Sequence, residues 1–128
     1  MKLIVCLDDS NGMMFNNRRQ SRDRVLVENV LELCKGEKLY ITKFSAKLFP
    51  EYSVEIVDNP AEVGDGYCFA ESFTVNEEVV DEIIVYKWNR IYPADTYFNI
   101  QLENWSLMET VDFEGSSHEK ITREIYRR

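Results

Sequence analysis

The stretch that decides the fold runs Asp81 to Trp88 (DEIIVYKW), Ala94 to Phe98 (ADTYF) and Trp105 to Leu107 (WSL). The middle of the first segment is β-branched and aromatic, which predicts a strand. From Trp105 to Phe113 (WSLMETVDF) and from Lys120 to Tyr126 (KITREIY), the residues alternate with a period of two. Gly115-Ser116-Ser117 lies between these segments, so the chain is expected to close on an antiparallel hairpin.

Working outward, Lys2 to Leu7 is a nearly continuous apolar run, the pattern of a strand buried on both faces. Asp8-Asp9-Ser10-Asn11-Gly12 ends it as a dense turn signal, and Met13, Met14 and Phe15 follow as an apolar knot in a loop. Arg22 to Cys34 predicts a helix: Leu26, Val30 and Leu33 lie on one stripe, with Val27, Leu31 and Cys34 beside it. Ser21 is the expected N-cap, and Lys35-Gly36 the close. Leu39 to Thr42, Ser53 to Val57 and Tyr67 to Ala70 read as further strands. Ser45 to Phe49 and Asn76 to Val80 read as short helical turns. Helix and strand alternate early and strands alone close the chain, which predicts an α/β fold with an antiparallel edge.

At 128 residues the chain has the size of one domain spanning residues 1–128. Its net charge of −8 is unevenly spread. Residues 1–50 carry 9 bases against 6 acids, residues 51–114 carry 2 against 15, and residues 115–128 carry 4 against 2. Overall acidity argues against a nucleic-acid partner or an anionic membrane surface. Four of the eight arginines, Arg18, Arg19, Arg22 and Arg24, crowd one seven-residue window that suits an anionic ligand or an acidic protein face. Pairing of these arginines with the acidic middle of the same or a second chain is the plainer alternative.

The single histidine, His118, excludes a metal site that needs two, and no metal is expected. Beside Ser116 and Ser117 it is read as a solvated turn histidine, because neighbours at a hairpin tip rarely converge as nucleophile and base. Cys6, Cys34 and Cys68 are odd in number, lack CxxC spacing and sit in apolar runs, which predicts buried free thiols and a cytoplasmic setting. The apolar run before Asp8 is too short for a signal peptide core or a membrane span.

These segments together resemble the dihydrofolate reductase family. DEIIVYKW, then ADTYF, then WSL is similar to the family's DEIYLTxI, GDTxFP and W run, and the closing EIYRR is similar to its last strand. IVCLDDSNGM resembles the first strand and its NGIG loop, and Ile41 to Lys47 (ITKFSAK) lies where the family has MGRxTxES. The resemblance implies a mixed central sheet with flanking helices and an antiparallel C-terminal hairpin. It also implies a reductase using NADPH on a pterin. Asp23 would then be the catalytic acid that grips the pterin, and Lys43 and Ser45 would lie at the cofactor phosphates.

The departures fall on those functional positions. The family's Pro-Trp pair is replaced by the arginine window. Its Gly-Gly turn, where backbone approaches the nicotinamide, is replaced by Glu71-Ser72. A carboxylate where only glycine fits opposes NADPH, and no cofactor is assigned. The segment between Asn59 and Gly64 is too short for the family's adenosine-side strand and helix. Asp23 has a second reading as a helix-opening acid favoured by the dipole. The resulting expectation is a ligand-binding or non-catalytic protein on a degenerate reductase scaffold. A divergent pterin or flavin reductase and an oligomerising interaction module are the alternatives.

Overall fold

The computed structural model describes residues 1–72 and 75–128. A seven-stranded sheet is built from β1 (Lys2–Leu7), β4 (Leu39–Ile41), β5 (Glu55–Ile56), β6 (Tyr67–Phe69), β7 (Glu82–Lys87), β9 (Ser106–Phe113) and β10 (Ile121–Arg127). Its order is β5-β4-β6-β1-β7-β10-β9. The first five strands in that order run parallel. β10 pairs antiparallel with both β7 and β9, forming the expected hairpin. A second sheet of β2 (Gly12–Phe15), β3 (Arg18–Arg19) and β8 (Thr96–Tyr97) lies in the order β3-β2-β8.

The two central strands explain the continuous apolar runs, because side chains alternate between two cores. Leu3, Val5 and Leu7 of β1, with Ile83 and Val85 of β7, pack on one face against Met13, Met14, Ile100 and Trp105. Ile4 and Ile84 face the other way, against Leu26 and Val30 of the helix α1 (Arg24–Leu33). The flanking helices expected in the plural reduce to this one α-helix of ten residues. Elsewhere the described residues form only short 3-10 turns, at Ser45–Leu48, Glu51–Ser53, Pro60–Glu62, Glu77–Val79 and Leu102–Asn104.

Two local expectations need correcting. The helix is capped by Asp23, not Ser21: Asp23 is extended (φ −154, ψ 127) and its carboxylate accepts from the Val25 and Leu26 amides. A carboxylate offers a stronger acceptor than a hydroxyl to the orphan first-turn amides. Met13 to Phe15 is strand, not loop. Asn16 and Asn17 both have positive φ (52 and 59), the requirement of a tight type I′ turn, so β2 folds back on β3 with Phe15 opposite Arg18. Gly36, at φ 89, turns the chain out of α1. The remaining strands fall within one or two residues of their expected bounds, with two-residue β8 unforeseen.

Candidate functional site

The parallel strands β6, β1 and β7 end at one edge of the sheet, where crevices form in open α/β sheets. Cys6, the Phe69-Ala70-Glu71 segment and Trp88 come from those strand ends. The β3 hairpin brings Arg19, Gln20 and Ser21, and α1 brings Asp23 and Leu26. The cleft they enclose has a volume of about 20 Å³, enough for a water and not for an aromatic ring. Two polar clusters close it.

The first is a clasp. Arg19 grips Glu71 with two hydrogen bonds, Nε to Oε2 at 2.8 Å and Nη2 to Oε1 at 3.1 Å. The Ser45 hydroxyl donates to Oε1 at 2.7 Å. Arg19 also donates to the Phe44 carbonyl at 3.1 Å and lies over the Phe44 ring, 4.7 Å from its centroid. Ser45, expected at the cofactor phosphates, and Glu71, at the place of the family's nicotinamide-side Gly-Gly turn, thus meet each other and Arg19 across the cleft. Lys43 and Ser72, expected beside them, are exposed. A carboxylate already saturated by arginine and serine, in so small a space, does not fit a nicotinamide cofactor.

The second is a latch. The Asp23 side chain is fully buried and accepts from six groups. Val25 and Leu26 amides bind Oδ1 at 2.9 and 3.2 Å, and the Ser116 amide joins them at 2.9 Å. The Ser117 amide and hydroxyl reach Oδ2 at 2.8 and 3.1 Å. His118 Nδ1 donates to Oδ2 at 3.0 Å. Burial alone raises the Asp23 pKa. The hydrogen bonds from the Ser116 and Ser117 amides, His118 and the Leu26 amide outweigh it and hold the carboxyl well below its ordinary value. The sign is opposite to the raised pKa of a pterin-protonating acid, and the donors responsible are three backbone amides and the His118 ring.

His118 corrects the reading of a solvated turn residue. It is buried at 4% exposure and stacks on Trp88 with ring centroids 4.6 Å apart. Its Nε2 lies 3.1 Å from Ser21 Oγ and 3.0 Å from the Tyr92 hydroxyl. No local sequence signal could have found this cluster: Ser21 and Asp23 lie about a hundred residues before His118 and meet it only because the hairpin tip folds onto the start of α1. Asp8, also buried, ties the neighbouring loops together by accepting from Ser10, Gly12 and Tyr92 amides and from Gln20 Nε2.

Beside the cleft lies a groove of about 560 Å³ with Val27, Leu31, Leu48 and Pro50 as its apolar wall. Arg22, Arg24 and Lys47 bring positive charge to it, and Ser116 and Ser117 face it from the hairpin. Arg24 is paired to Glu28 at 2.9 Å. Among the described residues no carboxylate pairs with Arg22 or Lys47. The arginine window is therefore split three ways: Arg22 and Arg24 to the groove, Arg19 to the clasp, and Arg18 to a separate hollow with Phe15, Tyr92 and Pro93. Among the described residues no group of three or more His, Cys, Asp or Glu is placed to hold a metal ion. No helix among them is long and apolar enough to cross a membrane.

A mixed seven-stranded sheet, parallel through its first five strands and closed by an antiparallel hairpin, with a crevice at its strand ends, defines the dihydrofolate reductase-like class of α/β folds. The comparison with solved structures bears this out: Enterococcus faecalis dihydrofolate reductase, complexed with NADP(H) and RAB-propyl, superposes with a TM-score of 0.69 over 99% of this chain and 95% of that one, at 14% sequence identity. No family model and no curated protein matches the sequence.

Proposed function

We propose that this chain uses the dihydrofolate reductase-like fold to bind a small anionic ligand, and does not reduce a pterin with NADPH. The observation that carries the reading is a contrast between neighbours: the cleft is occupied by its own side chains, while the groove beside it is open and cationic. In the cleft, Glu71 is saturated by Arg19 and Ser45, and Asp23 turns both oxygens to internal donors. In the groove, Arg22 and Lys47 offer charge-assisted donors above an apolar wall. A ligand with a carboxylate or phosphate on an apolar ring matches that lining.

Calorimetry tests the reading with phenyl phosphate, inorganic phosphate and NADPH. Phenyl phosphate is expected to bind more tightly than inorganic phosphate, and Arg22→Glu with Lys47→Glu to abolish its binding. NADPH binding at micromolar affinity or better would overturn the proposal and favour the reductase alternative. In that case Asp23→Asn should abolish turnover of whichever pterin is reduced. Salt-sensitive self-association in sedimentation would instead favour the interaction module, since charge-driven pairing weakens with ionic strength.

A further inference from the structure

Three hydroxyls, of Ser21, Tyr92 and Ser117, and the Asp23 carboxylate surround the one histidine, and their order has chemical consequences. Asp23 accepts from Nδ1 at 3.0 Å, which puts the ring proton on that nitrogen and makes Nε2 an acceptor, within reach of both the Tyr92 hydroxyl, at 3.0 Å, and the Ser21 hydroxyl. Ser21 Oγ lies 3.1 Å from Nε2. The histidine cannot drift, because Trp88 stacks on its ring and Ser117 Oγ lies 3.2 Å from Nδ1. The carboxylate is itself held by four backbone amides. Unlike His118 and Asp23, Ser21 is only partly buried, and it lines the cleft. This is the nucleophile, base and orienting acid arrangement that activates a serine, recognised by geometry and not by chain order.

From this juxtaposition we infer that Ser21, His118 and Asp23 form a serine nucleophile site that hydrolyses esters of short acyl groups. Ser21 Oγ attacks the ester carbonyl while its proton passes to His118 Nε2. The bond to the alcohol breaks as the alcohol takes that proton, leaving an acyl-Ser21 ester. Water then gives a proton to Nε2 and attacks the acyl carbon; the bond from that carbon to Oγ breaks as Nε2 returns the proton to Oγ, and the carboxylic acid departs with Ser21 and His118 restored. The volume beside Ser21, about 20 Å³, restricts the acyl part to the smallest groups. The cleft and the larger groove share Arg22, Asp23, Val27 and Leu48 in their walls, so the departing alcohol has a way out. None of this requires the groove to bind an anion.

The test uses the full chain with 4-nitrophenyl acetate and, separately, a small alkyl fluorophosphonate, followed by intact mass and peptide mapping. The expected result is one adduct per chain, located on Ser21. Ser21→Ala should abolish it, and it should form at least a hundredfold more slowly in His118→Asn, which keeps a donor toward Asp23 but has no base. A folded His118→Asn that labels as fast as the parent overturns the proposal. If that variant does not fold, the parent and Ser21→Ala still decide. No adduct in the parent overturns it, as does an adduct that persists in Ser21→Ala or maps to lysine or to Tyr92, whose hydroxyl also reaches Nε2.

Discussion

The latch and the clasp close the same cleft, each with a carboxylate held by a nitrogen base, yet they differ in everything that sets the strength of the contact. His118 and Asp23 have side-chain exposures of 2% and 0%, against 21% and 9% for Arg19 and Glu71. The latch carboxylate takes four backbone amides as well as its histidine. The clasp carboxylate takes only side chains. Backbone donors cannot swing away without unfolding α1 or the hairpin tip, whereas a guanidinium on a flexible stem can. The latch is therefore part of the fold, and the clasp is the closure that a ligand or a substitution can displace.

Removing the latch should have the largest effect. Asp23→Ala strands the Ser116 and Ser117 amides and the His118 N–H, uncaps α1 and leaves buried groups without partners. We expect a loss of about 3–5 kcal/mol in urea unfolding, the scale for breaking a buried pair. A loss below about 1 kcal/mol would place this pair with surface ion pairs and erase the contrast. The latch should also show in acid. Because the folded-state pKa of Asp23 is lowered, its contribution is present above the unfolded carboxyl value of about 4 and is lost as pH falls from there toward the folded value. Stability should decline by up to about 1.4 kcal/mol per pH unit for this one proton. Asp8 is shifted in the same direction and adds to the decline. Unfolding midpoints from pH 6 down to pH 3 should be less pH-dependent in Asp23→Asn, and equal slopes in the two proteins would refute the assignment.

The clasp should respond more weakly. Glu71→Gln keeps the shape of the side chain and removes its charge, and we expect a cost of about 1.5–3 kcal/mol, the range for a hydrogen bond to a charged group. The sharper readout is local: amide exchange at residues 19–20 and 44–45 should quicken, while exchange in α1 stays unchanged. Equal quickening in both regions would mean that clasp and latch open together.

The sheet was legible because its strands announce themselves locally. Lys2 to Leu7 is continuous and apolar because β1 is covered on both faces; the 105–126 hairpin alternates in sequence, although β9, at the sheet's edge, is exposed along nearly its whole length and β10, one strand in, is mostly buried. The β2–β3 turn escaped notice because Asn-Asn supports positive φ less openly than Asn-Gly. Of the site, Arg19, Ser45, Glu71 and Asp23 were picked out by type and place. Their partners were not, because a carboxylate does not reveal from sequence whether it faces a ligand or its own backbone. His118 was misread for the same reason: burial of a hairpin tip depends on what folds over it, here Trp88 and the start of α1.

A third carboxylate pair completes the scale and gives the smallest prediction. Arg24 and Glu28 are one turn apart on α1, adjoining Asp23, with side-chain exposures of 71% and 61%. Sequence distance from the latch is nearly nil, so composition and helix position are almost the same and only burial differs. An exposed pair at this spacing contributes about 0.3–0.5 kcal/mol and is screened by salt. Glu28→Gln, which leaves the Arg24 amide bonded to Ser116 Oγ, should cost no more than that at low salt and nothing measurable near 1 M. If it costs as much as Glu71→Gln, burial does not order the three pairs, and the distinction between a fixed latch and a displaceable clasp loses its physical basis.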